Sequence, residues 1–230
     1  MEKLNIVGNW KMTLNRLDSI KLANSLKSLK INKNLKLEIA PTSLYLYKIA
    51  KILRDSDTSV ISQNFDFKSL GSQTGGICLY QLKEIGVKKT IIGHSERRSI
   101  FNETDEHINN KLKTILNTDF EVIYCFDSVS QIPFDLIKEN LNGNKLTVAY
   151  EPTWAIGTGK TASLDHINEI HSQVRSKFNS LTSYEIPILY GGSVNPNNSG
   201  QILNLENVNG VLVGGASTEY EHLVGIVNSI

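Results

Sequence analysis

The chain has 230 residues, 40% of them apolar and 20% charged, a balance that supports a folded core and argues against disorder. Its 24 basic and 23 acidic residues are interspersed, so a formal net charge of +1 provides no broad field for nucleic acid or an anionic membrane. The start, MEKLNIVGNWKM, contains no apolar segment preceded by positive charge, and no run approaches the roughly 18 apolar residues of a membrane span. We therefore expect a soluble cytoplasmic protein.

Short β-rich runs alternate with segments of helical period along the chain. In order, the eight runs are LNIVGN, LKLEIAP, TSVISQN, KTIIGH, FEVIYCF, LTVAYEP, PILYGG and NGVLVGG. Most hold four or five apolar or β-branched residues with little alternation, which is typical of parallel strands buried on both faces.

Three of the intervening segments carry an apolar stripe that predicts an amphipathic helix. The stripes are Leu17, Ile20, Ala23, Leu26 and Leu29; Ile108, Leu112, Ile115 and Leu116; and Leu164, Ile167, Ile170, Val174 and Phe178. Ser163 marks the start of the third helix, and Thr218 with Glu221 predicts a capping box for a last helix.

The alternation continues without a linker, which predicts a single domain over residues 1–230. Eight strand and helix units fit a closed α/β structure, the (β/α)8 barrel, and also an open doubly wound sheet. Polar residues follow the ends of strands 1, 4, 6, 7 and 8. Because strand ends converge on one rim in a barrel but spread along the edge of an open sheet, this distribution favours the barrel.

The predicted rim carries side chains suited to acid–base chemistry. Glu151 follows a strand and precedes Pro152; at an apolar barrel mouth it would be a better base than in water, although position alone leaves an ordinary solvated glutamate equally open. His94 fits a general acid or a satisfied rim residue, and it has no second ligand nearby at the spacing of a metal site. Lys11, beside Trp10, is either a fixed charge over the site or a surface lysine.

Other histidines and the cysteines receive simpler interpretations. Four histidines fall in helical segments and are predicted to be solvated: His107, His166, His171 and His222. Cys78 and Cys125 lack CxxC spacing or a paired histidine, which favours buried reduced thiols over a metal site or a disulfide.

Glycine pairs follow the last two strands, in YGGSV at 190–194 and LVGGAS at 212–217. Tight turns also need glycine, but together the pairs match the phosphate site common in such barrels. A third stretch, IGTGKT at 156–161, looks like the tail of a P-loop, yet Trp154 occupies the place of an essential glycine. We therefore predict no nucleotide site there, but a lid over 152–160.

Blocks distributed over nearly the whole chain resemble the triosephosphate isomerase family in order and spacing. They are GNWKM (8–12), IIGHSERR (91–98), AYEPTWAIGTGK (149–160), YGGSV (190–194) and LVGGAS (212–217). The resemblance implies an enzyme of glycolysis and gluconeogenesis that interconverts dihydroxyacetone phosphate and D-glyceraldehyde 3-phosphate through an enediol, with no metal or organic cofactor.

The resemblance also implies roles for the matching residues. Glu151 is implied as the base that carries a proton between two carbons, and neutral His94 as the group that polarises the carbonyl. Lys11 and Asn9 are implied to stabilise developing negative charge, with Glu96 behind the lysine as its partner. The implied phosphate ligands are Gly157, Ser193, Gly214 and Gly215.

A homodimer is implied by the long connection NFDFKSLGSQTGGI at 64–77, which resembles a loop that inserts into the neighbouring subunit. Thr74 would reach towards Asn9 and Lys11 of that neighbour. A connection of this length without obvious secondary structure is otherwise unusual in a compact domain. Gly76 stands where the family usually has glutamate, a change that would remove an ion pair between subunits.

A larger departure follows strand 5. The family usually reads Cys-x-Gly-Glu there, whereas this chain reads Cys125-Phe126-Asp127-Ser128, and the segment up to strand 6 is short by about one helix. We expect a reduced fifth helix around 133–140, with lower stability or an altered surface and no loss of activity.

Two other functions stay open on the sequence. One is a different phosphate-binding barrel enzyme, such as an aldolase or a sugar-phosphate isomerase, because a fold does not fix a function. A Schiff-base aldolase needs a lysine projecting from a strand into the barrel, whereas Lys11 lies just beyond a strand end. The other is a non-catalytic binding role, which the altered segment after strand 5 motivates.

Overall fold

A computed structural model describes residues 4–155 and 161–230. The strands β1 to β8 are Leu4–Asn9, Leu35–Ala40, Thr58–Val60, Lys89–Ile92, Glu121–Phe126, Leu146–Tyr150, Ile188–Tyr190 and Gly210–Val213. Within the described ranges the helices α1 to α9 are Arg16–Lys27, Ser43–Leu53, Leu79–Glu84, Ser95–Ser99, Asp105–Leu116, Phe134–Asn140, Leu164–Leu181, Ser199–Leu203 and Tyr220–Val227. Short 3-10 turns cover Val129–Gln131 and Gly215–Thr218.

The strands form one parallel sheet in the order β3-β2-β1-β8-β7-β6-β5-β4. Its two edges join through Ser62, which bridges to Thr90. The Ser62 N–H donates to the carbonyl oxygen of Lys89 at 3.0 Å, and the Ile91 N–H donates to that of Ser62 at 2.9 Å. The sheet therefore closes, which confirms the predicted (β/α)8 barrel over the open sheet.

Apolar side chains pack in two layers because each strand is buried on both faces. One set fills the barrel, and alternate residues of the same strands face the helices outside. The inner set is Val7, Ala40, Ile61, Ile91, Ile123, Cys125, Ala149, Leu189 and Leu212. Both cysteines are buried free thiols, as predicted.

All three predicted helices are present, and their stripes are buried on α5 and, for the most part, on α7. On α1 the helix is confirmed, but the stripe does not match its buried face. Ser163 caps α7 by accepting a hydrogen bond from the His166 N–H. On α1, Leu17 is 62% exposed, and the buried face consists of Ser19, Leu22, Ala23 and Leu26. Steps of three residues fall short of a full 3.6-residue turn, so a run of them drifts round the helix.

The predicted capping box at Thr218 and Glu221 is also wrong. Helix α9 begins at Tyr220 with Glu219 at its cap position and no side-chain cap bond. Thr218 lies in the preceding 3-10 turn, where its hydroxyl donates to the carbonyl oxygen of Gly215 at 2.7 Å. Thr218, which the sequence pattern assigned to the start of the helix, therefore belongs to the 3-10 turn.

The segment after β5 is short, as predicted. It contains the 3-10 turn Val129–Gln131 and a seven-residue helix, Phe134–Asn140. Over residues 4–155 and 161–230 no helix combines the length and the apolar character that a membrane crossing requires.

Candidate active site

The carboxyl ends of the strands surround a cavity of about 360 Å³. Its walls include most of the predicted site residues: Asn9, Lys11, His94, Glu151, Ser193, Gly214 and Gly215. Glu96 lies behind Lys11 instead of on this wall. Gly157 and most of the predicted lid, at 156–160, lie outside the described residues.

Glu151 is a buried carboxylate at the end of β6, with 2% of its surface exposed. Its Oε2 accepts a hydrogen bond from the Ser95 N–H at 2.8 Å. Its Oε1 lies 3.0 Å from His94 Nε2. Two neutral donors therefore hold the carboxylate at the cavity wall, and neither donor carries a charge that loses its partner when the carboxylate is released.

The hydrogen bonds of His94 fix its tautomer. Its Nδ1 accepts from the Glu96 N–H at 3.2 Å, a bond that requires an unprotonated Nδ1 because an amide nitrogen cannot accept in return. Nε2 therefore carries the proton of the neutral ring and directs it at Glu151. Gly93 makes this placement possible, since its φ of 69° brings it within contact of the Cys125 carbonyl, where an added Cβ would lie at 3.1 Å.

Lys11 adopts a backbone conformation that is uncommon for a residue with a side chain. Its φ is 49°, in the left-handed region. The Asn9 Oδ1 accepts from the Lys11 N–H at 3.0 Å, and Gln63 Nε2 donates to the Lys11 carbonyl at 2.7 Å. The surrounding hydrogen bonds offset the strain and aim the side chain across the cavity.

The Lys11 ammonium forms an ion pair with Glu96. Its Nζ lies 2.7 Å from Glu96 Oε1, and a Cβ added to Gly214 would lie 3.7 Å from the same Nζ. The charge therefore sits between Glu96 and the glycine pair after β8. This position suits a cation that neutralises an anion held near Gly214 and Gly215.

The predicted phosphate end combines Ser193 with the glycines after β8. Gly214 and Gly215 open the 3-10 turn Gly215–Thr218, and backbone N–H groups at the start of a helical turn are available to an anion. The Ser193 hydroxyl donates to the Ala155 carbonyl at 2.7 Å, so it touches the part of the predicted lid that the structure describes.

Three contacts of the site were missed by sequence reasoning. They are the Ser95 N–H on Glu151, the Gln63 amide on Lys11, and the Cys125 thiol beside Glu151. Burial, and then the charge of Glu151, raises the pKa of that thiol well above its ordinary value, so it stays protonated. The position of Ser95 directly after His94 was the one signal available in the sequence.

The prediction of solvated histidines is wrong for His171. That side chain is fully buried on α7, and its Nδ1 lies 3.2 Å from the Asn207 carbonyl oxygen. Burial lowers its pKa to about 4. His166 is half-buried, with Nε2 3.0 Å from the Tyr150 hydroxyl. His107 and His222 are exposed, as predicted.

The assembled groups fit one class of chemistry. A buried carboxylate lies next to a neutral N–H donor, and the same small cavity also contains an ammonium group. A base acting together with donors for a developing oxyanion is what proton removal next to a carbonyl requires. Within the described part of the chain, no three histidine, cysteine or acidic side chains are grouped to hold a metal ion.

Comparison with known proteins gives a consistent match. The family model described as Triosephosphate isomerase matches residues 4–230. Triosephosphate isomerases of Treponema denticola and Flavobacterium johnsoniae are each 37% identical, over 98% and 100% of both chains respectively. That of Mycoplasma genitalium is 37% identical over 95% of both chains. The Treponema alignment spans 246 positions against 230 residues here, so that relative has residues this chain lacks.

Proposed function

The chain belongs to the triosephosphate isomerase family, and on that premise we propose how its cavity performs the reaction. The protein is an isomerase that interconverts dihydroxyacetone phosphate and D-glyceraldehyde 3-phosphate in glycolysis and gluconeogenesis. In our proposal Glu151 is the base, and His94, Lys11 and Asn9 stabilise the oxygens. Glu96 holds Lys11 in place.

The proton transfer starts with a change of partner at His94. Before substrate binds, Glu151 accepts the hydrogen bond from His94 Nε2–H. A substrate carbonyl entering between the two side chains takes over that bond and frees the carboxylate to remove a proton from the adjacent carbon. Negative charge then develops on the carbonyl oxygen, where the His94 N–H and the Lys11 ammonium stabilise it. His94 Nε2 gives its proton to that oxygen and takes the proton of the neighbouring hydroxyl, so that the charge moves to the second oxygen. Glu151 then returns its proton to the neighbouring carbon as the new carbonyl forms, which completes the isomerisation.

The phosphate is held at the opposite wall of the cavity. We assign it to Ser193, Gly214 and Gly215, with Gly157 as a further ligand from 156–160. The Lys11 ammonium lies near Gly214 and reaches towards both the phosphate and the carbonyl oxygen. Anchoring the phosphate fixes the reacting carbon against Glu151, and such fixation supplies much of the rate enhancement of an oriented reaction.

The contact of buried Glu151 with the His94 N–H supports this proposal most directly. Glu151→Gln removes the base with little change of shape, and we expect kcat to fall by about 10²–10⁴-fold. The measurement is a coupled assay with glyceraldehyde 3-phosphate. Glu185→Gln is the matched control: Glu185 is exposed and does not line the cavity, so we expect its replacement to leave kcat unchanged. An unaltered kcat in Glu151→Gln overturns the assignment of the base.

The aldolase alternative has weaker support. A Schiff base needs a lysine amine that is free to attack a carbonyl, whereas Lys11 Nζ is held in an ion pair with Glu96 at 2.7 Å. Borohydride trapping of a substrate adduct on Lys11 would favour the aldolase instead.

We also infer a homodimer that forms through the loop 64–77. No helix or strand occurs within the loop, and Lys68 to Gly75 are exposed. Next to it the structure exposes large apolar side chains at the rim: Met12 is 90% exposed, Ile100 66% and Phe101 59%. These three side chains line a cavity of about 650 Å³ together with Asn9 and Lys11. A partner's Thr74 inserted there would meet Lys11.

Gly76 fits the loop without a glutamate. A Cβ at this position would lie 3.1 Å from Asp66 Oδ2, and that same oxygen accepts a hydrogen bond from the Ile77 N–H at 2.8 Å. The base of the loop is therefore closed by Asp66 within one chain. The ion pair implied by the family pattern is missing, so dimer strength rests on the apolar contacts.

Molar mass in solution tests the dimer. Met12→Asp places a charge on the apolar rim, and we expect it to shift the mass from two chains towards one. Leu17→Asp is the control, because Leu17 is also exposed but lies on α1. A wild-type protein with the mass of one chain contradicts the dimer.

We further infer one domain over 1–230 and a cytoplasmic location, which suits a glycolytic step.

A further inference from the structure

A carboxylate from the shortened segment holds the chain immediately after Glu151. Asp127 Oδ1 accepts from the Thr153 N–H at 3.1 Å, and Asp127 Oδ2 accepts from the Thr153 hydroxyl at 2.9 Å. We propose that Asp127 is a positioning residue that sets the place of the Glu151 carboxylate through Thr153. The proposal rests on the proposed function, in which Glu151 is the base.

The backbone of Asp127 is itself held by a small hydrogen-bonded frame. The Gln131 Oε1 accepts from the Asp127 N–H at 2.8 Å, and the Tyr124 hydroxyl donates to the Gln131 carbonyl at 2.5 Å. Tyr124 belongs to β5 and is buried, so the frame is anchored in the barrel wall. The 3-10 turn thus replaces a longer connection with a rigid support for Asp127.

The link from Asp127 to Glu151 is short and stiff. Thr153 follows Glu151 by two residues, and Pro152 between them has its φ fixed by its ring. On its other side, the Glu151 N–H donates to the Phe126 carbonyl at 2.7 Å, and Phe126 directly precedes Asp127. Glu151 is therefore held from β5 through its backbone and from Asp127 through Thr153.

A second cavity beside Glu151 leaves room for its carboxylate to move out of position. A cavity of about 280 Å³ there is lined by Ser95, Asp127, Glu151 and Thr153 among others. Without the Asp127 contacts, the chain at Thr153 can relax into this cavity and carry the carboxylate away from His94. Misplacement by about 1 Å can cost up to about a hundredfold in rate.

Asp127→Ala, Thr153→Val and Thr153→Ser test the proposal. Asp127→Ala removes both oxygens that accept from Thr153. We expect it to lower kcat about tenfold with KM within about twofold, because the base is misplaced while the phosphate ligands are untouched. Thr153→Val loses the hydroxyl donor but keeps the N–H, so its kcat falls by a smaller factor. Thr153→Ser restores the donor and returns kcat to the wild-type value. Inhibition by inorganic phosphate stays unchanged in all three.

The controls separate positioning from folding and from the proposed function. Asp135→Ala removes an equal carboxylate at an exposed site of α6 and leaves kcat unchanged. Thr153 is exposed, so its variants keep the wild-type Tm and test the contact even if Asp127→Ala unfolds. Wild-type kcat in Thr153→Val and Asp127→Ala, with Glu151→Gln still slow, overturns the positioning role alone. Wild-type kcat in Glu151→Gln overturns the proposed function.

Discussion

Charged side chains are buried at both ends of the barrel, but they are paired differently. At the amino ends of the strands, Glu38 accepts from Lys89 Nζ at 2.6 Å and from the Asn5 amide at 2.9 Å, and its other oxygen lies 2.9 Å from Lys36 Nζ. At the carboxyl ends, Glu151 is held by an amide N–H and a neutral imidazole. The cation at this end, Lys11, forms its ion pair with Glu96 and not with Glu151.

On the proposed mechanism, the difference separates a structural charge, that of Glu38, from a reactive one, that of Glu151. Burial opposes ionisation of Glu38, but the attraction of Lys89 and Lys36 outweighs it, so the pKa of this carboxyl lies below its ordinary value. Its charge is permanently matched, and removing a partner would leave a buried ion alone. Glu151 has donors that a substrate can replace, which in the proposed mechanism frees its negative charge for proton transfer.

His94→Gln gives the largest expected effect and tests the reactive end. Glutamine retains a side-chain N–H but cannot reproduce both bonds of the imidazole, and losing one oxyanion donor costs about 10²–10³-fold in kcat. The coupled assay measures this loss. The Tm stays close to that of the wild type, because Glu151 keeps the hydrogen bond from the Ser95 N–H and the glutamine amide can still donate to its carboxylate. A large fall in Tm with normal kcat would reverse the distinction between the two ends.

Glu38→Gln tests the structural end. It leaves Lys89, with 7% of its side chain exposed, without its main counterion, and breaking a buried pair costs about 3–5 kcal/mol of unfolding free energy. Urea unfolding measures that free energy, and we expect kcat per folded molecule to stay unchanged.

Glu121→Gln is the matched control for Glu38→Gln. Glu121 lies 3.5 Å from Lys36 and 3.7 Å from Lys89, but its side chain is 46% exposed. Its loss therefore costs much less than the loss of Glu38. Equal destabilisation by the two variants would show that burial does not decide the effect.

The sequence predicted the reactive end better than the structural end. Asn9, His94, Glu151, Ser193 and Gly214 follow strand ends, and the topology of a parallel barrel brings such positions together. Glu38 and Lys89 lie inside strands 51 positions apart, and no local pattern pairs them. The same holds for Asp127 and Thr153, which become partners only because β5 and β6 are neighbours in the sheet.

The prediction of a solvated His171 failed because a polar residue occupies an apolar position of the helix. His171 falls on the helical stripe with Ile167, Val174 and Phe178, and all four are buried on α7. The spacing contained the signal, but the residue type pointed to solvent. The drift of the predicted α1 stripe has the opposite cause, since apolar residues there include the exposed Leu17.

His171 is a third case, a buried titratable group that forms no ion pair with residues in 4–155 or 161–230, and it predicts a pH effect. Its folded pKa of about 4 lies below the ordinary 6.5, so the unfolded chain binds the proton more readily. The stabilisation is fully present above pH 6.5 and is lost as the pH falls towards 4. We expect a loss of about 2 kcal/mol in unfolding free energy between pH 7.5 and pH 5.

His171→Phe isolates this effect because it keeps a ring of similar size that does not titrate. Urea unfolding at both pH values should show a weaker pH dependence in the variant, by about the same 2 kcal/mol. Glu38 does not confound the comparison, since its pKa lies below 4.5 and outside the measured range. His222→Phe, at an exposed position, should keep the wild-type dependence. Parallel pH profiles for His171→Phe and the wild type would mean that His171 binds its proton equally well in the folded and the unfolded chain, and the contrast with the paired charge of Glu38 would fail.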